Sequence, residues 1–183
     1  MSISQHTVFS PDAETIGQVH LSLLESINLD NYKDVLARHG MDEIDPERWY
    51  PMQSVVDLMD EIGNRQGGMT DLVSIGIKLM ETALLPPELE ELPLTHVLQG
   101  WNNIYLANNR GTDPGDFQIE FVDDQHAIMH CRIPWPDDYT YGVFYGAARR
   151  WLPDSTDFTV YYEEDGPRRD FGDETTVIHI DWN

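Results

Sequence analysis

The most informative segment of the chain is residues 117–133, FQIEFVDDQHAIMHCRI. Apolar residues alternate with polar ones along both arms of this segment: Phe117, Ile119 and Phe121 on the first, and Ala127, Met129, Cys131 and Ile133 on the second. Asp123 and Asp124 lie between the arms, and Asp is typical of tight turns. A period of two on each side of a turn predicts a β-hairpin.

The residues after the hairpin predict one helix and then two more strands. Residues 134–136, Pro-Trp-Pro, end the hairpin, and apolar residues recur at helical spacing over 139–152. Strand patterns follow over 156–163 and 175–182. Strands paired in hairpins around a helix favour an antiparallel sheet, so we expect a ββαββ unit in residues 111–183.

Upstream of the hairpin, residues 10–110 show helical periodicity and predict four or five helices. The first expected helix starts at Ser10-Pro11-Asp12, and the second spans Leu29 to His39, before Gly40. The next follows Asp45-Pro46 and carries an apolar stripe from Trp49 to Ile62. The last two span Leu72 to Ala83 and Leu92 to Leu106. Residues 1–9 are expected to form a loose arm.

Gly76 lies in the middle of the predicted 72–83 helix. A glycine there costs about 1 kcal/mol relative to alanine. This cost predicts that a neighbouring helix or a ligand approaches the backbone closely at Gly76.

The whole pattern predicts an α+β fold in a single domain, residues 1–183, with a helical half followed by a sheet half. The length of 183 residues is sufficient for one well-buried core and short for two. No low-complexity linker or internal repeat divides the chain.

The charge is strongly acidic, with 11 Lys and Arg against 33 Asp and Glu, for a net charge of −22. Such a surface repels nucleic acid and anionic membranes, so neither is an expected partner. The chain has no apolar run of about 18 residues, so no membrane span is expected. Residues 1–9 lack the basic and apolar regions of a signal peptide, which predicts a cytoplasmic protein.

The chain carries no complete catalytic or metal-binding motif. The seven histidines form no HExxH pattern, and His126 and His130 on one strand would be about 13 Å apart. Cys131 is the only cysteine and shares the period of its apolar neighbours, so we expect a core residue. The paired carboxylates fall in predicted turns or strand ends, where water keeps them solvated. An enzyme is therefore the less favoured class, although a zinc site built from distant residues stays open.

Aromatic residues are concentrated near the ends of the predicted elements. As a group, these residues could line an apolar ligand cavity: Trp49, Tyr50, Trp101, Tyr105, Trp135, Tyr139, Tyr141, Phe144, Tyr145 and Trp151. The alternative for each of them is ordinary core packing.

Several short motifs resemble one superfamily. They are Trp49-Tyr50-Pro51, Gly63, Gly68, Ile75-Gly76, the helix that holds His96, Tyr141-Gly142, and the final strand Thr176 to Trp182. Their order over residues 12–182 is similar to that of haem–nitric-oxide-binding (H-NOX) sensor domains, vinyl-reductase-type ligand-binding domains and TRAPP vesicle-tethering subunits.

The resemblance implies a pocket between the helices and the sheet that binds haem or another small apolar molecule. It places His96 near the proximal iron ligand of the haem sensors. Those sensors also hold the haem propionates with a Tyr-x-Ser-x-Arg clamp, whereas residues 130–134 of this chain read HCRIP. The missing clamp disfavours haem, because two buried propionates without cations would be costly.

Three hypotheses follow. The first is a non-catalytic sensory or regulatory domain that binds a small apolar molecule, for which we select nine candidate ligand-binding residues: Trp49, Tyr50, His96, Trp101, Tyr105, Trp135, Tyr141, Phe144 and Tyr145. The second is a TRAPP-like interaction or scaffold protein with a packed core, which would bind a partner protein or form a homodimer through its N-terminal helices. The third is a haem-based gas sensor that uses His96.

Overall fold

The computed structural model describes residues 6–26, 29–41, 43–64, 68–83 and 87–183. The helices described are α1 (Gly17–Ser26), α2 (Leu29–Arg38), α3 (Met52–Gly63), α4 (Gly68–Thr82), α5 (Pro87–Glu90), α6 (Leu94–Gln99), α7 (Trp101–Asn108) and α8 (Asp137–Trp151), with a 3-10 turn at Arg169–Phe171. The strands described are β1 (Glu14–Ile16), β2 (Trp49–Pro51), β3 (Asn109–Arg110), β4 (Asp116–Asp123), β5 (His126–Arg132), β6 (Phe158–Tyr162) and β7 (Thr176–Trp182). None of the described helices is long and apolar enough to cross a membrane.

The second half of the chain forms a four-stranded antiparallel sheet with the order β4-β5-β7-β6. The hairpin β4–β5 is paired with Phe117 opposite Cys131 and Ile119 opposite Met129. Burial alternates along β5, and Cys131 is a buried core residue. The predicted ββαββ unit and the α+β class are confirmed.

A second, three-stranded sheet with the order β2-β1-β3 was not predicted from the sequence. The expected helix start at Ser10 is wrong, because residues 10–12 form a turn and Glu14–Ile16 forms strand β1. The expected helical stripe from Trp49 is wrong at its start, since Trp49–Pro51 forms β2 and α3 begins at Met52. β-Branched and aromatic residues favour strands once a partner strand is present, and three-residue strands are too short to show a period.

The expected helix over residues 92–106 is divided into α6 and α7 at Gly100. Glycine is a weak helix former, and this one has φ −87° and ψ −1° between the two helices. The expected end of α2 is confirmed to within one residue, and Gly40 follows with φ +66°. Glycine adopts this left-handed conformation without steric cost, which explains its place after the helix.

The loose arm expected over residues 1–9 is wrong at residues 6–9, which are held against the rest of the protein, and residues 1–5 lie outside the described residues. His6 is 3% exposed, with Nδ1 at 2.6 Å from Asp60 of α3 and Nε2 at 2.9 Å from Asp170 in the loop before β7. Burial alone would lower the pKa of His6, but its hydrogen bonds and charge interactions with Asp170 and Asp60 raise the pKa to about 9. An imidazolium with two carboxylates thus ties α3 to the sheet half of the chain.

Helices α4 and α8 cross with their backbones in direct contact. A Cβ atom on Gly142 would overlap the carbonyl oxygen of Val73, and one on Gly76 would overlap that of Tyr139. A Cβ atom on Gly146 would come within 2.9 Å of another carbonyl oxygen of α4. The close approach that the cost of Gly76 predicted is therefore made by a helix.

We predict that Gly142→Ala lowers the free energy of unfolding, although helix propensity alone would raise it by about 1 kcal/mol. The added methyl group meets backbone, which cannot rotate away, so we expect a net loss of about 2 kcal/mol or more. Denaturant titration followed by circular dichroism measures the change.

Gly100→Ala is the matched control for this substitution. Its added Cβ atom would meet no atom nearer than 3.7 Å, at an ordinary φ of −87°. We expect its free energy of unfolding to stay within about 1 kcal/mol of the wild-type value. Equal effects of the two alanines would contradict the tight crossing.

Candidate functional site

A cavity of about 210 Å³ lies between the helical half and the sheet half of the protein. Its described lining comes from helices α1, α3, α4, α7 and α8, together with Phe117 of β4 and Ile133 just after β5. Gln18 is exposed, and Ile104 and Asn108 are half-buried, so the wall reaches solvent at α1 and α7. Most of its described lining is apolar.

Six aromatic side chains contribute to the wall: Trp101, Tyr105, Phe117, Trp135, Tyr139 and Trp151. The ring of Phe117 lies edge-on to Tyr105 at 5.2 Å and to Trp101 at 6.5 Å. Tyr105 Oη donates to the Pro114 carbonyl at 2.6 Å, and Trp151 Nε1 donates to the Leu89 carbonyl at 2.8 Å. Because these polar groups are satisfied elsewhere, Tyr105 and Trp151 present mainly apolar surface to the cavity.

Two buried polar side chains in the wall lack hydrogen-bond partners. His20 is 1% exposed, and both of its ring nitrogens are unpaired. Asn109 is 5% exposed; its Nδ2 donates to the Tyr105 carbonyl at 2.8 Å, but its Oδ1 is unpaired. Buried polar atoms are nearly always paired, so two such groups in one cavity wall are an unusual feature.

Burial holds His20 in the neutral state. Removal of the imidazole from water lowers its pKa to about 4, and the backbone carbonyl of Thr15 acts in the opposite direction. At neutral pH the ring therefore offers one N–H donor and one nitrogen acceptor to the cavity, and no charge.

The short sheet β2-β1-β3 brings these polar groups to one region. Thr15, in the central strand β1, pairs with Asn109 of β3 on one side and with Tyr50 of β2 on the other. The Tyr50 ring lies 5.1 Å from the imidazole of His20, which follows β1 on helix α1. Sequence patterns gave no signal for His20, because its burial depends on strands too short to be recognised.

The nine residues selected from the sequence do not all meet at the cavity. Trp101, Tyr105 and Trp135 line it, and Tyr50 contacts His20 behind the wall. The other five lie elsewhere: Trp49 in β2, exposed His96 on α6, fully buried Phe144, Tyr141 with Oη on the Val160 carbonyl, and Tyr145 against Phe158. The last three belong to α8 and face the core or the sheet.

Among the residues that the structure describes, no group of three or more His, Cys, Asp or Glu side chains is arranged to hold a metal ion. His126 does not form a joint site with His130, which lies further along the same strand. It lies against His179 of the adjacent strand, with 2.9 Å between Nε2 and Nδ1. His179 in turn lies 3.0 Å from Glu163, so this cluster is already hydrogen-bonded.

Comparison with known proteins gives a clear result for the fold. An H-NOX structure from a study of the mechanism of H-NOX activation has a TM-score of 0.66, 16% identity, and coverage of 91% of this chain and 94% of that chain. An oxygen-binding H-NOX domain related to soluble guanylate cyclases, solved as the oxygen complex, has a TM-score of 0.66, 15% identity, and coverage of 91% and 92%. A structure from a study of haem distortion in the H-NOX family has a TM-score of 0.68, 15% identity, and coverage of 91% and 92%.

The chain has the fold of H-NOX domains. No protein-family model and no curated protein matches the sequence. At 15–16% identity the likeness concerns the fold, so the chemistry of the cavity has to be judged from its own residues.

The described residues do not fit a haem. His96 is exposed on α6 and does not line the cavity, and no Lys or Arg lies among the described lining residues. Arg132, in the segment that replaces the clamp, makes two hydrogen bonds to Asp113 at 2.9 and 2.8 Å. The volume of about 210 Å³ is also below the usual range of about 300–1,000 Å³ for drug-sized ligands.

We predict that His20 makes the protein less stable in acid. The unfolded chain protonates this histidine near pH 6.5, whereas the folded protein resists protonation down to about pH 4. His20→Leu removes this effect, so lowering the pH from about 6.5 to 5 should cost the wild type about 2 kcal/mol more than the variant. Denaturant titrations at several pH values measure the difference.

His96→Leu is the matched control, because His96 is exposed. This variant should keep the pH dependence of the wild type. A parallel pH dependence of wild type and His20→Leu would contradict the burial of a neutral imidazole at position 20.

We also predict that purified protein mixed with haemin develops no absorption band of a coordinated haem. The reason is the lack of cations and of His96 in the described wall of the cavity. A visible-region titration tests this. A coordinated band that disappears in His20→Leu or in His96→Ala would contradict the prediction and identify the iron ligand.

Proposed function

We propose that the chain is a non-catalytic sensory or regulatory domain that binds a small apolar molecule between its helices and its sheet. The observation that carries this proposal is the aromatic-lined cavity of about 210 Å³. Interiors of ordinary proteins are packed to crystal density, and voids larger than a water molecule are few. A cavity of about 210 Å³ in a chain of 183 residues is much larger than such voids, which favours a binding site.

The size of the cavity limits the ligand. An engineered apolar cavity of about 150 Å³ holds benzene or xenon, and drug-sized ligands use about 300 Å³ or more. The volume here lies between these values, which favours a molecule somewhat larger than benzene.

The position of the cavity supports a sensory role. Its wall combines α1 and α3 with α7, α8 and the end of the sheet, so one ligand would contact both halves of the chain. The described wall also includes Met80 and Tyr139, which lie beside the α4–α8 crossing. A ligand that binds more tightly to one arrangement of α1 against α7 would shift the population towards that arrangement.

The H-NOX fold gives this proposal further support. Among the structural neighbours is an oxygen-binding domain related to soluble guanylate cyclases. The proposal keeps the binding of a small molecule inside this fold and replaces haem by an apolar ligand, because the described wall does not fit haem.

The scaffold alternative, which follows the TRAPP-like members of the superfamily, requires a solid core. Neighbouring residues of α3 distinguish the two hypotheses. Val55 and Val56 are 2% and 0% exposed, but only Val55 is in the described lining of the cavity.

We predict that Val55→Phe places its ring in the cavity, keeps most of the stability and abolishes binding of a small aromatic probe such as p-xylene. Val56→Phe should instead lower the free energy of unfolding by about 1–3 kcal/mol, because the ring enters a filled core. Denaturant titration and isothermal titration calorimetry with p-xylene measure both effects. Equal destabilisation by the two substitutions, with no binding to the wild type, would favour the scaffold.

A further inference from the structure

The wall of the cavity contains polar atoms that an apolar ligand would leave unpaired. Both nitrogens of His20 and Oδ1 of Asn109 lack partners, at 1% and 5% exposure of the two residues. In the absence of a ligand, such groups carry the full cost of lost hydration. A partner supplied by a ligand would remove this cost, so the unpaired atoms indicate the chemistry of the missing group.

Two other polar side chains of the described wall, Thr140 and Asn108, already make hydrogen bonds. Thr140 Oγ1 donates to the Pro136 carbonyl at 3.1 Å, and Asn108 Nδ2 donates to the Ile104 carbonyl at 2.8 Å. Asn109 uses its own Nδ2 in the bond to the Tyr105 carbonyl. In the described wall, the buried side-chain atoms without a partner are the two nitrogens of His20 and Oδ1 of Asn109.

We propose that His20 and Asn109 form a polar end of the cavity that selects an uncharged molecule with an apolar body and one hydroxyl group, such as a small phenol or alcohol. This inference rests on the proposed function, because it names the ligand class of the same cavity.

The choice of a hydroxyl group follows from donor and acceptor counts. A neutral imidazole has one donor and one acceptor, and the Asn109 oxygen is an acceptor. A hydroxyl donates one hydrogen bond and accepts up to two, so it offers a partner to the imidazole N–H and to one of the two acceptors, and the second acceptor keeps no donor. A ketone only accepts, and it would leave the Asn109 oxygen unpaired.

The absence of charge follows from the rest of the described wall, in which no Lys, Arg, Asp or Glu side chain is present. A buried carboxylate or ammonium group on the ligand would have no ionic partner there and would pay a large desolvation cost. The low pKa of His20 agrees with this, because the ring supplies no positive charge near neutral pH.

The test compares three para-substituted toluenes by isothermal titration calorimetry at about pH 7.5: p-cresol and p-xylene, which have nearly the same shape, and the larger, charged 4-methylbenzoate. p-Xylene is the more hydrophobic molecule, so a purely apolar cavity would prefer it to p-cresol. With the polar end in place we expect p-cresol to bind at least about tenfold more tightly than p-xylene, and 4-methylbenzoate not to bind.

Variants at position 20 test whether His20 causes the preference for p-cresol over p-xylene. His20→Leu should reverse it in favour of p-xylene, and His20→Gln, which keeps a donor and an acceptor, should retain part of it. His96→Leu is the matched control, since exposed His96 is not among the described lining residues of the cavity, and the preference for p-cresol should survive.

The outcomes separate this inference from the proposed function. Tighter binding of p-xylene than of p-cresol to the wild type, or a preference unchanged in His20→Leu, overturns the polar end and leaves the apolar cavity intact. Binding of 4-methylbenzoate as tight as that of p-cresol overturns the selection for uncharged ligands. Binding of neither neutral probe overturns the proposed function, and this inference with it.

Discussion

The structure depends first on the backbone contact between α4 and α8. Gly76, Gly142 and Gly146 remove the side chains that would otherwise separate the two helices. Because the backbones touch, no space is left for a ligand at the crossing itself. The face of α8 opposite α4 packs on the sheet, and the residues at its flank, such as Tyr139 and Val143, are free to line a cavity. A rigid crossing thus determines where the interior can stay open.

Two buried histidines, His6 and His20, differ in charge because their surroundings differ. His6 is surrounded by carboxylates and carries a charge that joins α3 to the sheet half. His20 is buried to a similar degree but faces an apolar cavity, so it stays neutral. One imidazole therefore contributes to the cohesion of the two halves, while the other is a cost to the protein without a ligand. Natural proteins keep such costs mainly where a function requires them.

The sequence predicted those parts of the fold whose physical signal is local. The period of residues 117–133 was sufficient for the hairpin, and the cost of Gly76 was sufficient for the close approach of another segment. Three-residue strands have no recognisable period, so the sheet around Thr15 was missed, and His20 was missed with it. His96 was chosen from the family resemblance, which carries the order of elements but not the direction of a side chain.

The same limit applies to the function. An H-NOX fold at 15–16% identity shows that a chain can close helices over a sheet, but the group held between them depends on the residues of the wall. Here that wall combines aromatic rings with a neutral imidazole and an amide oxygen, and its described part has no cation. A haem requires cations that compensate its two carboxylates, whereas the unpaired atoms of this wall require hydrogen-bonding partners. The unpaired polar atoms of the described wall, and its lack of cations, therefore say more about the ligand than the fold does.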